Sequence, residues 1–261
     1  AINNNTLKII ARNGTLGMIA SDKSLVRNNG NIDIAFQGTT ATDQVDGMYA
    51  DTSSTAINDG KITGNAAVDS VAGTLIGMQG RLINQVQNPA GTIPTQLINN
   101  GNISLSAAAT PDKTISTSLV GMGSFLEKAF LEGTKLLRRT GFIEITNAAN
   151  GVITITGNGN GIWADTATVT NAAGARIEVG GSGYGIRASK GSITNSGTIT
   201  VSGSNGTGMS GGGTLVNDKT ITASGSGSKG MEVTTGGTGT NNKDILSLIH
   251  ISEPTRPLYI S

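Results

Sequence analysis

The chain has no cysteine, a single histidine (His250), and few aromatic side chains, which make up 3% of its 261 residues. The missing cysteines exclude a disulfide framework and thiolate metal sites. Charged residues are also scarce, at 13%, and the two signs nearly cancel to a formal net charge of +1. This charge balance gives no indication that the chain binds nucleic acid or an anionic membrane.

Long hydrophobic runs are missing as well. No stretch reaches the roughly 18 consecutive apolar residues that a membrane-spanning helix needs, so we predict no membrane insertion by this segment. No segment has the pattern of a signal peptide. Because the chain begins at Ala1 without methionine, we expect it to be cut from a longer protein.

The C-terminal residues differ in character from the rest. Residues 246–256 read LSLIHISEPTR, which resembles the in-frame translation of a transposase-type sequencing adapter. We therefore predict that 246–261 is a non-native tail and that 1–245 is the natural segment. His250 lies in the tail, so the natural segment lacks the commonest general base and the commonest ligands of transition metals. We predict no catalytic residue, no cofactor and no metal site.

Two short units alternate along the chain. The first is Asn, then Asn, Asp or Ser, then Gly, any residue and Ile, with clear copies that begin at Asn28, Asn58, Asn99 and Asn195. The second is Gly followed by Met or Ile, and its copies begin at Gly17, Gly47, Gly77, Gly121, Gly161, Gly185, Gly208 and Gly230. In the C-terminal half the anchor isoleucines recur every 22 to 24 residues, at Ile153, Ile177, Ile199, Ile221 and Ile245.

The segments around these anchors alternate apolar and polar residues, as in Val152-Ile153-Thr154-Ile155. Alternation with a period of two is typical of a half-buried strand. Asn-Gly steps would also suit hairpin turns, but hairpins do not return the same residue at a fixed offset, whereas stacked coils do. We predict an all-β fold: a right-handed parallel β-helix of about nine coils, with Ile stacked on Ile and Asn on Asn.

The second half of the chain resembles a known family. The consecutive segments GNGIWADTATVTNAAGARIEV, GGSGYGIRASKGSITNSGTITV and SGSNGTGMSGGGTLVNDKTITA resemble the passenger repeats of type V autotransporter adhesins. The resemblance is close over 151–245 and loose over 1–245. It implies a β-helix that a C-terminal β-barrel exports across the outer membrane to the cell surface.

The same resemblance implies a function. The chain would be a fragment of a secreted bacterial surface adhesin, a stalk and display surface for attachment to cells or a host. Its partner would be a host or bacterial surface glycan or protein. We therefore predict an extracellular, monomeric rod that is not an enzyme.

Two segments depart from the repeat, near 84–96 and 124–139. The second, SFLEKAFLEGTKLLRR, combines a capping-box pattern at Ser124 and Glu127 with helical apolar spacing, so it predicts an amphipathic helix inserted between coils. Its basic residues Lys135, Arg138 and Arg139 are candidate partner contacts, although packing against the rod is the plainer interpretation. We expect any ligand to bind these insertions rather than the regular coils.

The residue after each Gly-Met or Gly-Ile pair is expected to point outward. These residues are Ile19, Tyr49, Gln79, Gly123, Trp163, Arg187, Ser210 and Glu232. Trp163 and Arg187 would then be neighbours in adjacent coils, close enough for a cation–π contact, with Tyr184 on the turn just before. This cluster is either a partner contact or a surface stacking pair without a ligand.

Two other function classes remain open. Parallel β-helices include polysaccharide lyases and hydrolases, which need clustered carboxylates or basic residues. Asp43 and Asp46 are close in sequence, but they precede Gly47 in what we interpret as a solvated loop. The third possibility is a structural solenoid without a ligand.

Overall fold

The computed structural model describes residues 1–66, 72–81, 94–107, 116–124, 130–132, 135–137 and 143–247, and these residues form strands and turns but no helix. The first four coils contain β1 (Ile2–Asn3), β2 (Thr6–Ala11), β3 (Thr15–Ala20), β4 (Leu25–Asn28), β5 (Asn31–Phe36), β6 (Gln44–Asp51), β7 (Thr55–Asn58), β8 (Lys61–Ala66), β9 (Ala72–Arg81), β10 (Thr95–Asn99), β11 (Asn102–Ala107) and β12 (Ser116–Ser124).

The remaining strands follow in chain order: β13 (Phe130–Glu132), β14 (Lys135–Leu137), β15 (Ile143–Asn147), β16 (Val152–Thr156), β17 (Gly159–Asn171), β18 (Arg176–Val179), β19 (Gly183–Asn195), β20 (Thr198–Val201), β21 (Thr207–Gly211), β22 (Thr214–Asn217), β23 (Ile221–Ala223), β24 (Lys229–Val233), β25 (Thr238–Asn241) and β26 (Ile245–Ser247).

The coils stack into three faces of parallel strands. Face 1 is the column β1, β4, β7, β10, β15, the second halves of β17 and β19, β22 and β25. Face 2 is the nine-stranded sheet β2, β5, β8, β11, β16, β18, β20, β23 and β26. Face 3 is β3, β6, β9, β12, the first halves of β17 and β19, β21 and β24. The predicted parallel β-helix of nine coils is confirmed.

The anchors of the repeat form continuous columns inside the rod. On face 2, Leu7 pairs with Ile32, and the register then runs through Ile62, Ile103, Ile153, Ile177, Ile199, Ile221 and Ile245. On face 3 the column is Met18, Met48, Met78, Met122, Ile162, Ile186, Met209 and Met231. Most of these side chains are fully buried. Since no single coil encloses a core, stacking supplies the hydrophobic stabilisation.

A ladder of asparagine side chains runs along the corner between faces 1 and 2. Each amide Nδ2 donates to the Oδ1 of the asparagine in the following coil, at 2.7–2.9 Å. The members of this asparagine ladder are Asn3, Asn28, Asn58, Asn99, Asn147, Asn171, Asn195, Asn217 and Asn241. The seven from Asn28 to Asn217 are fully buried. The ladder lets buried polar groups satisfy one another.

The glycines of the second unit form a column that leaves no room for a side chain. A Cβ on Gly161 would lie 2.4 Å from Cγ2 of Ile177 and 2.6 Å from the carbonyl oxygen of Gly185. The same pair of contacts recurs at Gly121, Gly185 and Gly208, each against the isoleucine of the following coil. The isoleucine column therefore occupies the space that side chains of this glycine column would need, which explains why this position of the repeat is glycine.

The insertions differ from what the sequence predicts. The helix expected over 124–139 is wrong for the described part: Ser124 ends β12, while β13 and β14 pair antiparallel as a two-stranded hairpin. Over these two strands, antiparallel pairing prevails over the local helical spacing. The segment near 84–96 ends earlier than expected, because Thr95 and Gln96 belong to β10.

The C-terminal strand crosses the predicted boundary of the natural segment. Ile245, Leu246 and Ser247 form β26 and pair in register with Ile221, Thr222 and Ala223. The first two residues of the predicted tail therefore continue the ninth strand of face 2. The rest of that tail, 248–261, lies outside the described residues.

Replacing one asparagine of the ladder should lower the free energy of unfolding strongly. Asn171→Ala removes the donor to Asn195 and the acceptor for Asn147, at a position with no access to water. We expect a loss of about 2–3 kcal/mol in the free energy of unfolding, measured by urea denaturation, because buried polar groups lose their partners. Asn242→Ala, in an exposed side-chain pair with Asp218, is the control and should cost less than about 0.5 kcal/mol. Equal losses in the two variants would contradict a special role of the ladder.

The glycine column gives a second prediction. Gly161→Ala would place its methyl group against Ile177 and Gly185, so we expect a loss of about 2 kcal/mol or more in the free energy of unfolding. Gly180→Ala is the matched control, because the nearest atom to its Cβ is 3.5 Å away. The interpretation would be wrong if the thermal unfolding midpoints of both variants equalled that of the parent chain.

Candidate partner-binding surface

Two outward-pointing columns run along face 3, on either side of the glycine column. One precedes the glycines: Leu16, Asp46, Ile76, Val120, Asn160, Tyr184, Thr207 and Lys229. The other follows the Met and Ile anchors: Ile19, Tyr49, Gln79, Gly123, Trp163, Arg187, Ser210 and Glu232. The expected outward direction of this second column agrees with the register, because neighbouring strand residues point to opposite sides.

A side chain that points outward from face 3 is not necessarily exposed to solvent. In coils two to four the outward residues are nearly inaccessible: Asp46, Ile76 and Val120 are 0% exposed, Gln79 is 3% and Tyr49 is 5%. In coils five and six Trp163, Tyr184 and Arg187 are half-buried. Face 3 thus has a covered part and an open part. Within the open part the smaller outward residues Asn160, Thr207 and Ser210 are buried, at 7%, 4% and 2%. Its accessible residues are the larger side chains Trp163, Tyr184, Arg187, Lys229 and Glu232.

The predicted aromatic cluster forms on the open part. Trp163 pairs in register with Arg187, and the Arg187 guanidinium carbon lies 5.8 Å from the Trp163 ring centroid. The same carbon lies 4.9 Å from the Tyr184 ring centroid, so Arg187 contacts two aromatic rings. These distances are within the range of cation–π attraction. The contact predicted from the spacing of the repeat is present, and Trp163, Tyr184 and Arg187 form one aromatic cluster.

An ion pair extends the aromatic cluster towards the C-terminus. Lys229 Nζ contacts Glu232 Oε1, and Ser210 Oγ lies 3.4 Å from Glu232 Oε2. The hydrogen bond from Lys229 lowers the pKa of Glu232, with smaller contributions from Ser210 and from the charge of Arg187, while burial opposes the shift. The same hydrogen bond raises the pKa of Lys229. The open part of face 3 therefore carries matched charges beside two aromatic rings.

The other predicted contact residues lie on the insertion. Lys135 is the register partner of Glu132 in the hairpin of β13 and β14. Arg138 and Arg139 lie outside the described residues. The structure therefore does not bring these three together with the aromatic cluster in any described contact.

The covered part of face 3 contains a buried aspartate, Asp46, in a hydrogen-bond network with Gln44 and Gln79 that the sequence does not predict. The solvated loop predicted for Asp46 is wrong, because Asp46 lies within β6 and is 0% exposed. Its register partners are the apolar Leu16 and Ile76. Gln44 Nε2 donates to Asp46 Oδ1 at 3.0 Å and to Gln79 Oε1 at 2.9 Å. The offset of Asp46, directly before a column glycine, could have placed it between apolar neighbours.

Asp43 also departs from the solvated-loop interpretation, since it is 4% exposed. Its Oδ2 accepts hydrogen bonds from the backbone N–H groups of Thr39 and Thr40 and from Arg12 Nε. The Thr39 backbone bond, more than any other group, holds the pKa of Asp43 far below its usual range. The Asp43 carboxylate therefore stabilises the turn that leads into β6 through these hydrogen bonds.

Burial changes the acidity of two residues in the covered part. Desolvation raises the pKa of Asp46 to about 7, although the hydrogen bond from Gln44 and the charge of Arg81 oppose the shift. Burial likewise raises the pKa of Tyr49 to about 12, and the negative charge of Asp51 acts in the same direction. A carboxyl group that titrates near neutral pH is a feature of functional sites as well as of buried structural networks.

The raised pKa of Asp46 predicts a pH-dependent stability. The folded pKa of about 7 exceeds the ordinary value of 3.8, so the folded state binds the proton more tightly. The resulting stabilisation is fully present below about pH 4 and is lost as the pH rises from 4 to 7. Asp46→Asn should therefore be more stable than the parent chain at pH 8, by about 2–4 kcal/mol, and should show no such advantage at pH 4.

Urea denaturation at several pH values measures this difference. Thr63→Ala, on the outer surface of face 2, is the control: it removes no titratable group and should leave the pH dependence of the unfolding free energy unchanged. A constant difference between Asp46→Asn and the parent chain from pH 4 to pH 8 would show that Asp46 does not titrate in this range.

Among the described residues, no group of three or more His, Cys, Asp or Glu side chains is arranged to hold a metal ion. Within the same ranges no helix is long and apolar enough to cross a membrane.

Comparison of the chain with protein-family models, curated proteins and solved structures found no match.

Proposed function

We propose that this chain is a segment of a bacterial surface adhesin, a rod that holds the open part of face 3 towards a partner on another surface. The observation that carries the proposal is the aromatic cluster of Trp163, Tyr184 and Arg187, half-buried on coils five and six. Tryptophan, tyrosine and arginine are the residues most enriched among those that contribute most to binding energy. The resemblance of 151–245 to autotransporter passenger repeats supports the same function.

The proposal places the partner contact on regular coils, whereas the sequence favoured the insertions. The reason is geometric. Coils five to eight run without a long insertion, so their outward columns form an unbroken surface from Trp163 to Glu232. Side chains held by paired strands on a rigid rod lose little conformational entropy when a partner binds. The proposed partner is a glycan or a protein of a host or bacterial surface.

Attachment assays test this proposal. Beads coated with the full chain should adhere to cells from a panel of bacterial and epithelial types. The double variant Trp163→Ala, Arg187→Ala should reduce adhesion to the responding cells by about thirtyfold or more, since it removes two central contacts worth about 1 kcal/mol or more each. Thr200→Ala, on the outer surface of face 2, is the matched control and should adhere like the parent chain. Undiminished adhesion by the double variant would refute the proposed contact.

A polysaccharide lyase or hydrolase is the second candidate, and Asp46 is the specific observation in its favour. A carboxyl with a pKa of about 7 is suited to general acid–base catalysis. Its complete burial argues against direct access by a polymer. Turnover of a uronic-acid polymer that disappears in Asp46→Asn would establish this function in place of the adhesin.

A further inference from the structure

A shallow polar groove lies beside the aromatic cluster, at the corner between faces 2 and 3. It has a volume of 240 Å³ and is lined by Thr117, Ser118, Asn158, Gly159, Asn160, Ser182 and Gly183. These residues come from the starts of β12, β17 and β19 and the turns before them, in three successive coils. Asn160 is also the register partner of Tyr184, so the groove meets the aromatic cluster directly.

The groove contains a buried hydroxyl without a partner. Thr117 is 4% exposed, and its Oγ1 makes no hydrogen bond within the described residues. Such a group costs free energy when nothing satisfies it. Thr117 lines the groove, but its Oγ1 itself has almost no accessible surface, so this hydroxyl would meet a bound polar molecule after the side chain rotates about its Cα–Cβ bond. The unsatisfied group is therefore an indication of a ligand, independent of the aromatic cluster.

Two asparagine amides are held in fixed orientations at the same place. Asn158 Oδ1 accepts the backbone N–H of Ser182 at 3.0 Å, and Asn160 Oδ1 accepts that of Tyr184 at 3.2 Å. Each oxygen is thus engaged, while neither Nδ2 donates to an acceptor within the described ranges. The groove consequently offers two oriented amide donors beside the hydroxyl of Thr117.

The lining and its surroundings identify the class of ligand. No charged side chain lines the groove, which disfavours phosphate chains and nucleic acid. An extended peptide cannot add to the sheet here, because β12 already pairs with β9 and β17, and β17 pairs with β12 and β19. Hydroxyl and amide donors next to aromatic rings match the hydroxyl-rich edges and apolar ring faces of neutral sugars.

We infer that this groove binds one ring of a neutral glycan chain, with the adjoining ring packed against Tyr184 and Trp163. The volume agrees with a single ring, since it is below the roughly 300–1,000 Å³ of sites that enclose a whole drug-sized ligand. The inference rests on the proposed function and deepens it by naming the partner class and the residues that select it. Thr117 is the residue that distinguishes the groove from an ordinary surface depression.

Thr117→Val supplies the test, because it keeps the shape of the side chain and removes the hydroxyl. The full chain is applied to a glycan array, and the affinity of the strongest neutral oligosaccharide is measured by calorimetry. Thr117→Val should raise its Kd roughly fivefold, as expected for one lost hydrogen bond. The same change should leave the melting temperature unchanged or raise it, because the free protein loses an unsatisfied buried group.

Two further variants complete the experiment. Ser118→Leu, at a half-exposed position of the lining, should fill the groove and weaken binding by more than about tenfold without unfolding the chain. Thr194→Val, on face 1, is the control and should leave the Kd unchanged.

The outcomes separate this inference from the proposed function. Binding to acidic glycans alone, or neutral-glycan binding that survives Thr117→Val and Ser118→Leu, would overturn the groove as the site. Adhesion of Thr117→Val and Ser118→Leu to cells, together with loss of adhesion by the Trp163 and Arg187 double variant, would support the adhesin proposal and refute the glycan groove. If the parent chain adheres to no cell type but binds a neutral glycan through Thr117, the glycan groove is supported and the attachment function is refuted.

Discussion

The buried hydrogen bonds of the asparagine ladder are the constraint on which the remaining structure depends. A fully buried amide must find partners, and here the amide of the next coil supplies the oxygen for one N–H of each ladder member, while backbone carbonyl groups near Asn28, Asn58 and Asn147 accept the other. Moving one coil by a single residue would lose those bonds and turn every inward side chain outward. The ladder therefore fixes the register of all three faces, and the isoleucine and methionine columns follow from it.

The three corners of the coil differ in the length of the connections between strands. At the corner of the ladder, Asn28, Asn58, Asn99 and Asn195 each reach the next strand within three residues. The other two corners accept the long connections after β5, β9 and β12. Sequence separation between successive ladder members rises to 48 residues across the hairpin, yet the hydrogen bond stays at 2.8 Å. The ladder corner thus keeps turns of at most four residues, the longest after Asn147 and Asn171, while the longer connections lie at the other two corners.

The repeat was sufficient to predict the strands, their stacking and the contact between Trp163 and Arg187, because each depends only on position within the coil. Exposure was not predictable in the same way. Tyr49 and Trp163 occupy equivalent positions, but Tyr49 is 5% exposed and Trp163 is half-buried. The state of Asp46 depends on apolar neighbours contributed by two other coils. Local spacing predicts a helix over 124–139, whereas Phe130–Glu132 and Lys135–Leu137 pair as antiparallel strands.

The bonds of the asparagine ladder all point the same way, from each amide N–H to the oxygen in the following coil. Side-chain amides are dipoles, and dipoles aligned head to tail add along the axis and polarise one another. The rod therefore has an electrical polarity that its nearly neutral composition conceals. At one end of the row Asn3 Oδ1 accepts the backbone N–H of Asn5 and, within the described residues, no side-chain amide, and at the other end Asn241 presents its N–H group. Two ends built from the same residue are thus chemically unequal.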